Sequence, residues 1–386
     1  MPASRYLAWC LSLALLIVAS VAAFNYIADP CGIYHYGGAR DWIHNRPFLT
    51  DNEFIHKAHE VRVHPPDIIF LGNSRVAEGL DPHAPGVPTN AYNLALHQGT
   101  IYEAWRNLQN ACAVHPPQTV VIGIDLYWFS ASLKPGGDFS EDRLAVRADD
   151  SPTPWLAFHT ADLASTLFSL PTFISSVKGV VGHPKLAYDA GYSEQAPAVL
   201  EHMDQASRVL AANRKWMSDI GDLSPRDADG QAPQLDAFNH IVDLCAEKHI
   251  RLIVFVHPLH AVLVDKLTVN WNLYSDWMKT VAAKLESTPG LSAEFWDFAG
   301  YNSMNTEPFP SPTDVDSHMH FYWDAFHYHK NIGDMVFARI FTGTDPTSFG
   351  QRVTSANVDQ DLQRLQTEKQ AWHEHGQIQT FEVHPN

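Results

Sequence analysis

The stretch that decides the fold reads DIIFLGNSRV, residues 67–76. An apolar run, Ile68 to Leu71, stops at Gly72, and Asn73, Ser74 and Arg75 follow at once. A short β-branched run without polar alternation is the pattern of a parallel strand covered on both faces. A small polar cluster straight after it sets Ser74 at the carboxyl end of that strand, where doubly wound sheets form their sites.

Working outward, segments 91–94, 119–124, 251–256 and 293–298 read as further buried strands. Helical spacing lies between them: Ile101, Ala104, Trp105, Leu108 and Cys112; Leu235, Phe238, Ile241, Val242 and Cys245; Trp277, Val281 and Leu285. Strands alternating with helices predict a three-layer α/β/α fold with a five-stranded, mainly parallel sheet. Residues 127–233 interrupt this order with the turn-rich pieces LKPGGD, DDSPTPW and FSLPTF, and with one helix expected over 198–220. They read as a mostly helical insertion; a lid and a structural embellishment are both open readings. The tail from 344 carries one helical pattern, 358–372.

Residues 6–28 hold no charged side chain. The strongly apolar part, roughly 18 residues, would rise ~27 Å as a helix, close to the ~30 Å core of a bilayer. Arg5 precedes it, which predicts a cytoplasmic N-terminus with the rest of the chain across the membrane. The length favours an uncleaved anchor over a cleaved signal peptide, for which ASVAA offers the small residues. The expected organisation is therefore an anchor (1–28), a connecting segment (29–64), the α/β domain (65–343) with its insertion (127–233), and a tail (344–386).

The 386-residue chain carries 26 basic and 43 acidic side chains, a net charge of −17. Nucleic acid is excluded as a partner, because phosphate binding needs concentrated Lys and Arg. The four cysteines have neither disulfide-framework nor zinc-site spacing, and no cofactor or metal is expected.

Toward the C-terminus stands FYWDAFHYHKNIGDMVFARIF, residues 321–341. Asp324 and His327 lie three apart, so a helical turn or a tight loop sets both on one side. A carboxylate there fixes the imidazole tautomer, leaving its other nitrogen to take a proton from a serine. Ser74, His327 and Asp324 are thus candidate nucleophile, general base and orienting acid. His257 and His260, in FVHPLH at the end of the fourth strand, have two open readings: lining a substrate cleft, or exposed imidazoles of a proline-containing loop. The pair His318 and His320 falls short of a metal site. Tyr322, Trp323 and Phe326 read as core or as a sugar-stacking rim, with core favoured.

In GNS at 72–74 and DAFH at 324–327 the chain resembles the SGNH (GDSL-like) hydrolases, whose G-[DN]-S block supplies the serine and whose D-x-x-H block supplies the other two triad members. The resemblance spans roughly residues 65–342. It is closer still to the membrane-anchored branch associated with bacterial cell-surface polysaccharides, in which a helix leads into a DPxGIY-like motif, here DPCGIY at 29–34. By position the resemblance implies Gly99 as a second oxyanion donor. The family's third donor is an Asn after the third strand; here IGIDLYWF offers Asp125, and an ionised Asp cannot donate. Two readings stay open: Asn93 or Arg75 substitutes for the missing donor, or the site is weaker than a full hydrolase site.

The resemblance implies a serine esterase acting on O-acyl, typically acetyl, groups of a secreted polysaccharide, cellulose-like or another exopolysaccharide. It would sit on the periplasmic side of a bacterial inner membrane beside synthase or secretion proteins. An O-acyltransferase with the same triad and a non-catalytic glycan-binding assembly protein are the alternatives; a lipid esterase is less favoured, as no long apolar pocket is legible.

Overall fold

The computed structural model describes residues 3–34, 53–154, 160, 163–181, 190–192, 205–220, 223–310, 319–343 and 349–375. His318, the first part of the helix expected over 198–220 and much of the connecting segment lie outside the described residues. In chain order the helices are α1 (Ala3–Ala28), α2 (Glu53–Val63), α3 (Ser74–Gly79), α4 (Ile101–Cys112), α5 (Leu170–Val181), α6 (Gln205–Asp219), α7 (Pro233–Glu247), α8 (Ala261–Leu267), α9 (Trp271–Ser287), α10 (Lys330–Phe337) and α11 (Val358–Glu374). The strands are β1 (Ile68–Leu71), β2 (Ala91–Asn93), β3 (Thr119–Ile124), β4 (Arg251–Val256), β5 (Ser292–Asp297) and β6 (Gln351–Val353).

Contacts divide the chain into two compact units. One gathers Met1–Pro65, Arg106–His115 and Gly137–Ala187; the other gathers Pro66–Trp105, Pro116–Gly136 and Tyr188–Asn386. Residues 137–187, read from sequence as part of the insertion, thus group with the N-terminal residues.

The second unit holds a six-stranded sheet in the order β2-β1-β3-β4-β5-β6. The first five strands run parallel, and β6 closes the edge antiparallel to β5. Five strands were expected; the sixth comes from the tail. Its three residues, QRV, are exposed, exposed and buried, so no apolar run announces them. The inner strands behave as their composition demands. Every residue of β1 is buried, and only the first residues of β3 and β4 reach the surface. Each such side chain contributes about 1.5–3 kcal/mol by leaving water, which makes these strands the core.

The register sets the site. Ile124 pairs with Val256 and Val256 with Asp297, so β3, β4 and β5 end together, while β1 stops two residues earlier, Leu71 pairing with Ile122. The chain order reverses at β1, which leaves a crevice beyond the carboxyl ends of β1 and β3. Asn73, Ser74 and Asp125 emerge there.

In the first unit, α1 is an apolar helix whose hydrophobic window is 0% buried, long enough to cross a membrane. DPCGIY follows as a tight turn. Asp29 accepts hydrogen bonds from the Ile33 and Tyr34 amides at 2.9 and 3.1 Å, and Cys31, Ile33 and Ile55 form a small core.

Candidate active site

Local rules build the serine turn. Asn73 caps α3, its Oδ1 accepting the Arg75 N–H at 3.1 Å. A side chain at Gly72 would strike Val76, with 2.3 Å to Cγ2, so glycine lets the strand end press onto α3. The Ser74 amide heads this helix and has no hydrogen-bond partner among the described residues.

The D-x-x-H piece is a tight loop. Trp323 N–H donates to the His327 carbonyl at 2.8 Å, His329 N–H to Phe321 at 2.8 Å, and Tyr322 bridges Tyr328. Inside it, Asp324 Oδ1 accepts from the Phe326 and His327 amides at 2.7 and 2.9 Å. Two long-range contacts fix the loop. Asn213 of α6 accepts the Ala325 N–H at 2.9 Å, and Arg75 Nε donates to the Phe326 carbonyl at 3.1 Å.

These turns bring the candidate residues into line. Ser74 Oγ lies 2.9 Å from His327 Nε2, and His327 Nδ1 lies 3.0 Å from both Asp324 oxygens. Burial alone would raise the Asp324 pKa. The His327 charge and the two amides outweigh it and hold the carboxyl below its ordinary value. Burial alone would lower the His327 pKa; Asp324 first, then Glu78, overcome this and raise it. The carboxylate therefore stays ionised and the imidazolium is stabilised, the two conditions a proton-accepting histidine beside a serine requires.

A cavity of about 450 Å³ opens over this line. Asn73, Ser74, Arg75, Gln98, Gly99, Tyr127, Trp128, Ser132, Leu133, Lys134, Phe326 and His327 line it. Gln98 holds a left-handed backbone, φ +58°, a strained state for a side-chain-bearing residue and one that clusters at functional sites.

The remaining sequence candidates divide. Arg75 lines the cavity, clamped by Asp125 Oδ2 at 2.5 Å and stacked on Phe326 at 5.5 Å. Its Nη2 has no protein partner among the described residues. Asp125 also accepts the Trp128 N–H at 3.1 Å on its other oxygen, so both carboxylate oxygens are engaged and one of them holds the Arg75 cation. Asn93 is corrected. It is fully buried and its amide donates to the Val76 and Leu80 carbonyls at 2.8 and 2.9 Å, tying down the end of α3 instead of facing the cavity. Gly99 lines the cavity, but its N–H is engaged by the Leu96 carbonyl at 3.0 Å and its carbonyl by Trp128 Nε1 at 2.6 Å.

His257 is corrected as well, and so is His260; both are buried, so neither open reading holds. His257 Nδ1 lies 3.2 Å from Tyr328 Oη, and burial, then the Arg75 charge, push its pKa well down. His260 Nε2 donates to the Glu307 carbonyl at 2.8 Å, and burial lowers its pKa to about 4. Tyr322 is core, while Phe326 both packs and lines the cavity. Among the described residues no group of three or more His, Cys, Asp or Glu could hold a metal.

Sequence reasoning missed Asn213 and Glu78. Asn213 sits in the insertion with no motif around it. Glu78 lies one helical turn past Ser74, with Oε1 3.0 Å from His97 Nε2 and Oε2 buried without a partner; the i, i+4 spacing was the available signal. No protein-family model and no curated protein matches the chain.

Proposed function

We propose that this chain is a membrane-tethered serine esterase of the SGNH type that removes O-acyl groups from a polysaccharide on the outer face of a bacterial inner membrane. One observation carries the reading: the uninterrupted contact from Ser74 Oγ to His327 Nε2 and from His327 Nδ1 to the buried Asp324 carboxylate. Ser74 Oγ attacks the ester carbonyl while His327 takes its proton. The tetrahedral oxyanion meets the Ser74 amide and the Arg75 guanidinium. His327 then returns the proton to the departing sugar hydroxyl, leaving an acyl-serine. Water, deprotonated by His327, attacks the acyl carbon, and collapse releases the carboxylic acid and restores the serine.

The substrate class draws its support from the cavity and from the family resemblance. About 450 Å³ is within the range of small-ligand pockets, and Asn73, Gln98, Ser132 and Lys134 offer partners for sugar hydroxyls. The apolar α1, with Arg5 in its first turn, supports tethering with the body across the membrane.

The test is a fluorophosphonate probe together with acetate release from acetylated oligosaccharides. Wild-type chain is labelled and releases acetate; Ser74→Ala does neither. An unlabelled wild-type protein that still binds the glycan is a binding module, and the proposal fails.

A further inference from the structure

Helix α5 is built inside out. Its buried residues are Thr172, Ser176 and Gly179. Four of its apolar side chains face outward: Leu170 is 66% exposed, Ile174 47% and Val181 74%, with Val177 beside them, while Phe173 packs inward. Phe168, in the turn before it, is 58% exposed. A helix on a water-facing surface carries the reverse pattern, apolar inward and polar outward. Small and hydroxyl residues toward a neighbouring helix, with aliphatic residues outward, is how helices pack in lipid.

The neighbour is α1. Phe24 meets Phe173 edge-on at 5.5 Å. Asn25, near the end of α1 and buried, has its amide nitrogen 2.9–3.3 Å from the carbonyls of Thr166, Leu167 and Ser169, and its oxygen accepts from Ser176 Oγ at 2.9 Å. Tyr34 Oη lies 2.5 Å from Thr166 Oγ1. A polar lock thus fastens α5 to the carboxyl end of α1, where Tyr26 and Ile27 are themselves exposed. The exposed apolar side chains of α5 thus stand on a helix fastened to the equally exposed apolar α1.

We propose that α5 is a second lipid-contacting element, seated at the headgroup–acyl boundary of the bilayer that holds α1. The inference rests on α1 lying in a bilayer, as proposed above. The 12 residues of α5 rise only ~18 Å, too short to span ~30 Å, so the helix lies in the interface. Lys178, its one charge, is exposed and long enough to reach the headgroups. The anchor is consequently not a detachable leader: Asn25 belongs to the fold of the unit it tethers.

The experiment uses the full chain with Cys10→Ser, reconstituted in phosphatidylcholine–phosphatidylglycerol vesicles. Single nitroxides are attached at Ile174→Cys, Val177→Cys or Val181→Cys, with Leu15→Cys reporting on α1 and Lys248→Cys on water. Collision with oxygen exceeds collision with a soluble nickel chelate at Leu15 and at the three α5 positions, and the ratio reverses at Lys248. Nickel exceeding oxygen on α5 while Leu15 favours oxygen overturns the inference and leaves the anchor intact. Nickel exceeding oxygen at Leu15 as well overturns both. Dipolar broadening at the α5 labels means that a second copy covers the face, and also overturns it.

Discussion

The line from Ser74 through His327 to Asp324 and the cavity wall beside it are held in different ways. Along the line, local hydrogen bonds shape each turn: Asn73 caps its own helix, and Asp324 accepts two amides of its own loop before it meets His327, with Asn213 and Arg75 fixing that loop from afar. The wall depends on partners far apart in sequence. Arg75 is clamped by Asp125 and by the Phe326 carbonyl, and Gly99 by Trp128. A locally shaped turn places one side chain with one motif. The wall is assembled across the sheet and is tied to the D-x-x-H loop, since Arg75 Nε holds the Phe326 carbonyl.

The largest expected effect tests the line. Ser74→Ala or His327→Ala lowers kcat by about 10⁴-fold or more, because either change ends nucleophilic attack. Acetate release from an acetylated oligosaccharide measures it, and retention of more than a few per cent of activity would break the assignment.

The wall responds less. Arg75→Met lowers kcat by about 10²–10³-fold with KM little changed, the size of one lost oxyanion donor. Adding Asp125→Asn restores part of that rate, since an amide donates where a carboxylate does not and no lone buried charge remains. Steady-state kinetics on the single and double variants decide the point. An unchanged kcat in Arg75→Met would leave the Ser74 amide as the oxyanion donor.

The same contrast explains what was legible. IIFL, TVVIGI and RLIVFV announce buried parallel strands, because both faces are covered and hydrophobicity runs without a break. β6 announces nothing, being an edge strand with one buried residue whose pairing is all backbone. The meeting of Ser74, Asp324 and His327 was legible because residue type and spacing within each turn are what the proposed chemistry requires. Asn93 and His257 were misread because position near a strand end does not tell inward from outward. Asn93 donates to two carbonyls at the end of α3, and His257 is buried against Gly123, whose missing side chain leaves the ring its place. Asn213 was beyond reach, since a contact between the insertion and the D-x-x-H loop leaves no local trace.

Asn93 separates the two roles cleanly. Asn93→Ala takes the amide donor from the buried Leu80 carbonyl, while the Val76 carbonyl keeps the Leu80 N–H, and costs about 1–3 kcal/mol of stability. Urea unfolding shows this loss while kcat of the folded fraction stays near wild type. A normal unfolding midpoint with a collapsed kcat would return Asn93 to the wall.

The smallest effect lies where wall and line meet. His327 accepts a proton only when neutral, so kcat/KM falls as pH drops through its pKa in the free enzyme. Because Asp324 and Glu78 raise that pKa, the acid limb lies above the ordinary imidazole value of ~6.5. Glu78→Gln keeps the shape of the side chain and removes one of the two negative charges. The imidazolium loses part of its stabilisation, the neutral base persists to lower pH, and the limb shifts in the acid direction. The pH profile of kcat/KM, measured on both proteins with one acetylated substrate, records the shift. A limb that stays put would mean that the buried Asp324 alone sets the basicity of His327, and that the carboxylate one turn beyond the serine serves only to hold His97.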